Sequence, residues 1–193
     1  MNDSARIFQE AAANLIQAAQ PEYQQQIASA VDLLVAAFAA GNKILVFGNG
    51  GSAADAEHIC AELVVRFTRE RRGLPAIALS SNQAAMTACG NDLGFERVFA
   101  RQLEAFGQPG DVAWGISTSG NSRNVVAGLQ YAKEVGLVTV GLTGSGGGQA
   151  AAYCDVLMAV DLRETARIQE VHLVTYHSIC AQVEERLFGV GGI

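Results

Sequence analysis

No run of apolar residues reaches the roughly 18 that a membrane-crossing helix needs, although half of the 193 residues are hydrophobic. The first ten residues, MNDSARIFQE, carry no apolar core of the kind a signal peptide uses. The four cysteines, Cys60, Cys89, Cys154 and Cys180, include no C-x-x-C pair. They read as reduced core thiols of a cytoplasmic protein. A basic excess is also missing: the net charge is −6, and no basic stripe outweighs it, which argues against a nucleic-acid binder. Arg66, Arg69, Arg71 and Arg72 do cluster, but as a solvated helix end and loop, with Arg66 the one candidate for a phosphate contact. Charged residues make up only 17% of the chain. That leaves an apolar excess that an oligomer would use. There is no 20–50-residue repeat and no low-complexity linker. The reading is one domain over 1–193, with N-terminal helices at 1–41, an α/β core at 42–188 and a tail at 189–193. A chain of this length buries roughly 70% of its unfolded surface, so it needs no disulfide or structural metal to fold.

The organising stretch is residues 44–67, ILVFGNGGSAADAEHICAELVVRF. Ile44 to Phe47 form a short apolar run with the character of a buried parallel strand. It enters Gly48-Asn49-Gly50-Gly51-Ser52, a turn of small residues, with Ser52 as the expected N-cap of the helix that follows. His58 and Glu62 then lie four residues apart, on one face of that helix.

Helical periodicity over 3–19 stops at Pro21, which cannot donate a helix hydrogen bond. A second helix is expected at 22–40, closed by Gly41. Strands are expected at 76–79, 112–116, 138–142 and 155–160. Helices are expected at 83–89, broken by Gly90-Asn91-Asp92, then at 95–106, from the 117–122 loop to 135, and at 164–187. Strands alternating with helices predict an α/β fold, a doubly wound five-stranded parallel sheet with an N-terminal helical extension.

In such a sheet, ligands bind at the carboxyl ends of the strands. The Gly48–Ser52 turn nominally fits the Gly-x-Gly-x-x-Ala dinucleotide fingerprint through Ala53. However, the second strand ends Leu79-Ser80-Ser81, with no carboxylate for a ribose. A turn that merely redirects the chain is the plainer alternative. The second loop, Ser117-Thr118-Ser119-Gly120-Asn121-Ser122, offers four hydroxyls at a helix start, where unpaired N–H groups and partial positive charge suit a phosphate. Its plain reading is an N-cap cluster, but six consecutive small polar residues exceed what capping requires. Gln169 and His177 lie on the last helix about 80° apart around its axis. With His58 and Glu62 they supply donors suited to zinc or a similar divalent ion. A lone i,i+4 His/Glu pair is equally an incidental polar face, and His172 is assigned no role.

Several segments carry a resemblance together. They are Gly48-Asn49-Gly50-Gly51-Ser52, Ala56-Glu57-His58, Glu62-Leu63, Pro75-Ala76-Ile77-Ala78-Leu79, Gly90-Asn91-Asp92, Gly115-Ile116-Ser117-Thr118-Ser119-Gly120-Asn121-Ser122 and Ala166-Arg167-Ile168-Gln169-Glu170. In this order, over nearly the whole chain, they resemble the phosphoheptose isomerases of the SIS (sugar isomerase) family. The resemblance implies a flavodoxin-like SIS fold. It implies conversion of D-sedoheptulose 7-phosphate to D-glycero-D-manno-heptose 7-phosphate by enediol proton transfer, the first step toward ADP- or GDP-heptose precursors of glycans such as lipopolysaccharide.

The resemblance also implies that Asn49, Gly50, Gly51, Ser52, Glu62, Asn91, Asp92, Ser117, Thr118, Ser119, Ser122 and Gln169 hold the sugar phosphate. His58, Glu62, Gln169 and His177 would surround one Zn2+ per subunit, with Glu62 and His177 catalytic. It implies a cytoplasmic homotetramer with active sites at subunit boundaries. One departure is Ala166, where related sequences often carry Asp. The alternative is a non-catalytic SIS protein that senses a sugar phosphate or associates with a replication initiator. Retention of His58, Glu62 and His177 favours the enzyme.

Overall fold

The computed structural model describes residues 3–189, so the expected tail beyond Gly189 lies outside the described residues. Helices α1 (Asp3–Ala18) and α2 (Pro21–Ala39) come first. Pro21 stands in the first turn of α2, where its missing N–H leaves no bond unmade. Gly41, at φ +82°, closes α2. The Asn42 N–H reaches Ala37 O at 2.9 Å and the Gly41 N–H reaches Phe38 O at 3.1 Å, the paired bonds of a Schellman motif.

The alternating core follows: β1 (Ile44–Gly48), α3 (Gly51–Val64), β2 (Ala76–Ala78), α4 (Gln83–Asp92), α5 (Val98–Phe106), β3 (Val112–Ser117), α6 (Arg123–Glu134), β4 (Val138–Thr143), β5 (Val156–Ala159) and α7 (Thr165–Phe188). Short 3-10 turns at Phe95–Arg97 and Gly148–Tyr153 complete it. All strand pairs are parallel, in the order β2-β1-β3-β4-β5. The expected doubly wound sheet is therefore present. Alternate residues of β1 feed opposite cores. Ile44 and Val46 pack with α2, α3 and α7, while Leu45 and Phe47 pack with α5 and α6. Each such fully buried side chain contributes roughly 1.5–3 kcal/mol. Burial on both faces makes the strand continuously apolar in sequence.

Three local expectations change. Helix α3 begins at Gly51 with Gly50 as N-cap, so Ser52 is a buried residue inside the first turn. Gly50 takes φ +55°, a backbone bend that favours glycine and starts the helix early. Helix α4 runs through Gly90-Asn91-Asp92 and ends at Leu93. The stop comes from Gly94, at φ +93°. Arg71 is not solvated: its side chain is 2% exposed and paired with Glu184.

Helix α1 buries only Ala18. Phe8 is 77% exposed and Ile16 69%. No helix among the described residues is long and apolar enough to cross a membrane.

Candidate active site

The strand order reverses between β1 and β3, and at such a switch point the loops after the two strands diverge and open a crevice. Those loops are Gly48–Ser52 and Ser117–Ser122. Asn49 and Asn124 tie the two sides together through a reciprocal amide pair, both bonds 2.8 Å. Hollows of about 420 and 480 Å³ flank Asn49, the first bordered by Gly50 and Ser80, the second by Ser122 and Asn124. Where a dinucleotide fold would set a carboxylate for ribose, Ser80 donates to the Gly48 carbonyl at 3.0 Å. The nucleotide reading thus lacks its acidic partner at this position.

In the second loop the hydroxyls bond to one another. Ser117 Oγ donates to Ser122 Oγ at 3.1 Å and lies 3.5 Å from Ser119 Oγ. Ser122 is the N-cap of α6, yet its side chain makes no capping bond. The first turn of α3 likewise has no side-chain cap. Two helix starts whose N-cap side chains make no bond therefore meet at the crevice, an arrangement that suits an anion, with the Ser52 and Ala53 N–H groups bonded to Asn49 O and Gly50 O and that of Val125 to Asn124 Oδ1. Thr118 and Ser119 line a hollow of about 270 Å³ with Ser145 and Arg163.

Helices α3 and α7 bring the first and last parts of the chain together. His58 Nε2 lies 3.1 Å from Glu62 Oε1 and 3.5 Å from His177 Nε2. One ligand atom from each of the three falls within 4.8 Å of the others, so His58, Glu62 and His177 can hold a metal ion together. The donor set, two imidazoles and a carboxylate, suits a borderline divalent ion. Burial lowers the pKa of His177, and the adjacent His58 lowers it further, against the opposing pull of Glu62. A neutral imidazole keeps a lone pair for a metal or a proton.

The amide of Gln169 packs against Gly51, seven residues before His58 along α3. Asn91 and Asp92 are exposed at the end of α4, where Asn91 donates to Asp92 at 2.7 Å. They border neither hollow beside Asn49. His172 is fully buried with Nε2 3.2 Å from Thr143 O. Burial brings its pKa down to about 4, which fits a structural imidazole. Burial pushes the thiols of Cys60, Cys154 and Cys180 up to about 12, which leaves them protonated.

A family model described as the SIS domain matches residues 7–144. A phosphoheptose isomerase of Crocosphaera subtropica is 52% identical over 93% of this chain and 91% of its own length. One from Synechocystis is 51% identical over 91% of this chain and 90% of its own. The chain belongs to the phosphoheptose isomerase family of SIS-domain proteins. Its fold follows the family closely. The solved phosphoheptose isomerase of Neisseria gonorrhoeae superposes with a TM-score of 0.90 at 39% identity, covering 95% of this chain and 97% of that one. The initiator-associating alternative is not favoured by these relatives.

Sequence reasoning missed three residues at the site. Asn124 reads as an ordinary helix residue, and Arg163 as a loop charge. Tyr176 reads as part of an apolar helix face. Its hydroxyl lies 3.0 Å from His58 Nδ1 and donates to Asp55 at 3.4 Å. Burial, and then Asp55, keep this phenol protonated by raising its pKa.

The Gly51 contact yields a test. A methyl group at position 51 would collide with the Gln169 amide nitrogen, the far end of a flexible side chain. Gly51→Ala therefore displaces Gln169 at little cost to the fold. The expected result is a melting temperature within a few degrees of wild type and a KM raised about 10-fold, equivalent to 1.4 kcal/mol of lost binding. Calorimetry and initial rates check both.

Proposed function

We propose that this chain is an aldose–ketose isomerase that converts D-sedoheptulose 7-phosphate to D-glycero-D-manno-heptose 7-phosphate. The observation that carries the reading is the convergence of His58, Glu62 and His177 from two distant helices, in a chain of this family. The isomerisation moves a proton from C1 to C2 through an enediol, so it needs a base at carbon and a proton relay between the two oxygens. Glu62 takes the C1 proton and returns it at C2. His177, kept neutral, passes the hydroxyl proton from O1 to O2. A zinc ion held by His58, Glu62 and His177, with Gln169 as a further ligand, would act as a Lewis acid toward the substrate oxygens. A carboxylate bound to metal is a weaker base, so Glu62 serves as ligand at rest and as base once substrate shifts it.

Ser117, Thr118, Ser119 and Ser122 would grip the 7-phosphate at the start of α6, and Gln169 with the Asn49–Ser52 turn would align the sugar. Asn91 and Asp92 would reach substrate from a neighbouring subunit. Binding energy from the remote phosphate positions the reacting carbons. The uncovered apolar residues of α1 support a homotetramer whose active sites lie at subunit boundaries, with 1–193 acting as one domain in the cytoplasm.

Incubating the purified chain with sedoheptulose 7-phosphate and following the aldose by NMR tests the reading. Turnover that a chelator removes and zinc restores is the expected result. Turnover indifferent to chelation removes the metal role, and absence of product from metal-loaded protein removes the reaction. Ser119→Ala should raise KM about 10-fold, with kcat little changed. An unaltered KM would count against the phosphate assignment.

A further inference from the structure

Thr118 and Ser119 share their hollow with Ser145, Leu162 and Arg163, and Arg163 is the one charged residue among the described residues that line it. It stands in the connection between β5 and α7. Two backbone bonds hold that connection against the hydroxyl loop: the Gly144 N–H donates to Thr118 O and the Ser145 N–H to Leu162 O, both at 3.0 Å. The Arg163 side chain makes no hydrogen bond, ion pair or ring contact among the described residues, although carboxylates stand close to it in sequence. Asp161 takes the Ser145 hydroxyl at 2.7 Å. Glu164 has extended backbone, at φ −81° and ψ 121°, and side chains of successive extended residues point to opposite sides. Arg167, by contrast, is paired with Glu170 at 2.7 Å. We infer that Arg163 is a specificity-determining residue whose guanidinium grips the phosphate of the sugar phosphate together with Thr118 and Ser119.

The need for a cation follows from charge. A phosphate monoester carries about −1.5 to −2 at pH 7. The chain itself carries −6, so its average field repels such a substrate. Hydroxyls and backbone N–H groups donate hydrogen bonds but bring no net charge. A guanidinium brings both, with parallel N–H groups that match two phosphate oxygens. Arg163 has no existing ion pair to break before it can do so. Its exposure moderates the gain, because solvent and salt screen the contact. The Thr118 hydroxyl is equally uncommitted among the described residues, so both groups are available to the same anion. An unphosphorylated heptulose gains nothing from the guanidinium, and Arg163 thereby separates phosphorylated from neutral sugars.

The inference rests on the reading of Ser117–Ser122 as the phosphate grip, and inorganic phosphate tests it without the reaction. Melting temperature is followed against phosphate concentration for wild type, Arg163→Gln, Arg163→Lys and Ser119→Ala, with chloride holding the ionic strength constant. Arg163→Gln alters an exposed, unpaired side chain, so its phosphate-free melting temperature should stay within about two degrees of wild type. The expected results are a saturating rise in wild type and half-saturation at about 10-fold more phosphate in Arg163→Gln, the loss of one hydrogen bond to a charged group. Arg163→Lys, which keeps the charge but not the fork, should fall between them. The KM for sedoheptulose 7-phosphate should rise in step in Arg163→Gln, with kcat little changed. Wild-type phosphate affinity in Arg163→Gln, with binding weakened in Ser119→Ala, overturns the inference and leaves the hydroxyl grip standing. No phosphate-dependent rise in wild type overturns both. A phosphate response that depends on Arg163 in a protein without isomerase turnover upholds the inference and removes the reaction.

Discussion

Glu62→Gln lowers kcat for sedoheptulose 7-phosphate by about 10²–10⁴-fold, the range that a positioned general base supplies. Glutamine keeps the shape of the side chain but loses the charge that takes a proton and helps hold the metal, so the rates are compared on zinc-saturated protein. The backbone carbonyl of Glu62 still accepts from Arg71, at 2.9 Å, so the local fold is retained. Substrate binding falls less than turnover, because the phosphate end lies on another loop. His177→Ala is expected to act on kcat in the same direction while leaving the His58–Glu62 contact of 3.1 Å in place. Initial rates with matched circular dichroism check both variants. A kcat within a factor of two of wild type would remove the altered residue from the proton transfer.

Glu184→Ala destabilises the fold by roughly 3–5 kcal/mol, the cost of leaving a buried charge without its partner. Glu184 on α7 is 2% exposed. It accepts from the N–H groups of Phe67, Thr68 and Arg69 at 3.1, 2.8 and 2.9 Å, and from the Thr68 hydroxyl at 2.8 Å. Arg71 donates its Nε to the same carboxylate at 3.0 Å and an Nη1 proton to Leu63 O at 2.7 Å. One carboxylate thereby fastens the end of α3 to α7, the two helices that carry Glu62 and His177. The melting temperature should fall by roughly 6–20 °C for a chain of this size. A fall of under 2 °C would show that the clamp is dispensable.

The same group gives the wild type a dependence on acid. Burial alone would raise the pKa of Glu184, but hydrogen bonds from Thr68, Arg69 and Phe67 outweigh it and hold the value down to about 2, from an ordinary 4.5. A depressed pKa means that protons favour the unfolded chain. The stabilisation is fully present above pH 4.5 and is lost as pH falls from there through about 2. Its size is roughly 3 kcal/mol by linkage. Denaturant titrations of wild type and Glu184→Gln should diverge above this window and converge at its acid end.

Strands β1, β3 and β4 were legible because they are buried on both faces and so read as largely apolar runs, whereas the edge strand β2 is short and leaves Ile77 exposed. The two loops that open the crevice were legible because runs of small residues and hydroxyls stand at the ends of β1 and β3. Less visible was anything decided by a second helix. Arg71 looks solvated in a basic stretch, since nothing near it in sequence announces Glu184 more than a hundred residues away. Tyr176 fits the apolar period of α7, and its hydroxyl acquires meaning only against Asp55 and His58. The start of α3 was misread because Ser52 is a good cap by type, whereas the positive φ of Gly50 decides where the turn ends. Gly90 was misread as a stop, although Gly94 is the glycine that takes the left-handed conformation. Asn91 and Asp92 came from family resemblance alone, and nothing in their local pattern marks them.

The central claim, that Glu62 and His177 jointly move a proton between neighbouring carbons, is tested most directly in deuterated water. Metal-loaded wild type and Glu62→Gln are each given sedoheptulose 7-phosphate, and product is read by proton and carbon NMR. The wild type should yield heptose 7-phosphate carrying at C2 the proton that Glu62 transfers, or deuterium to the extent that Glu62 exchanges with solvent at the enediol, and the variant neither product nor exchange. Heptose formed by Glu62→Gln at the wild-type rate would contradict it.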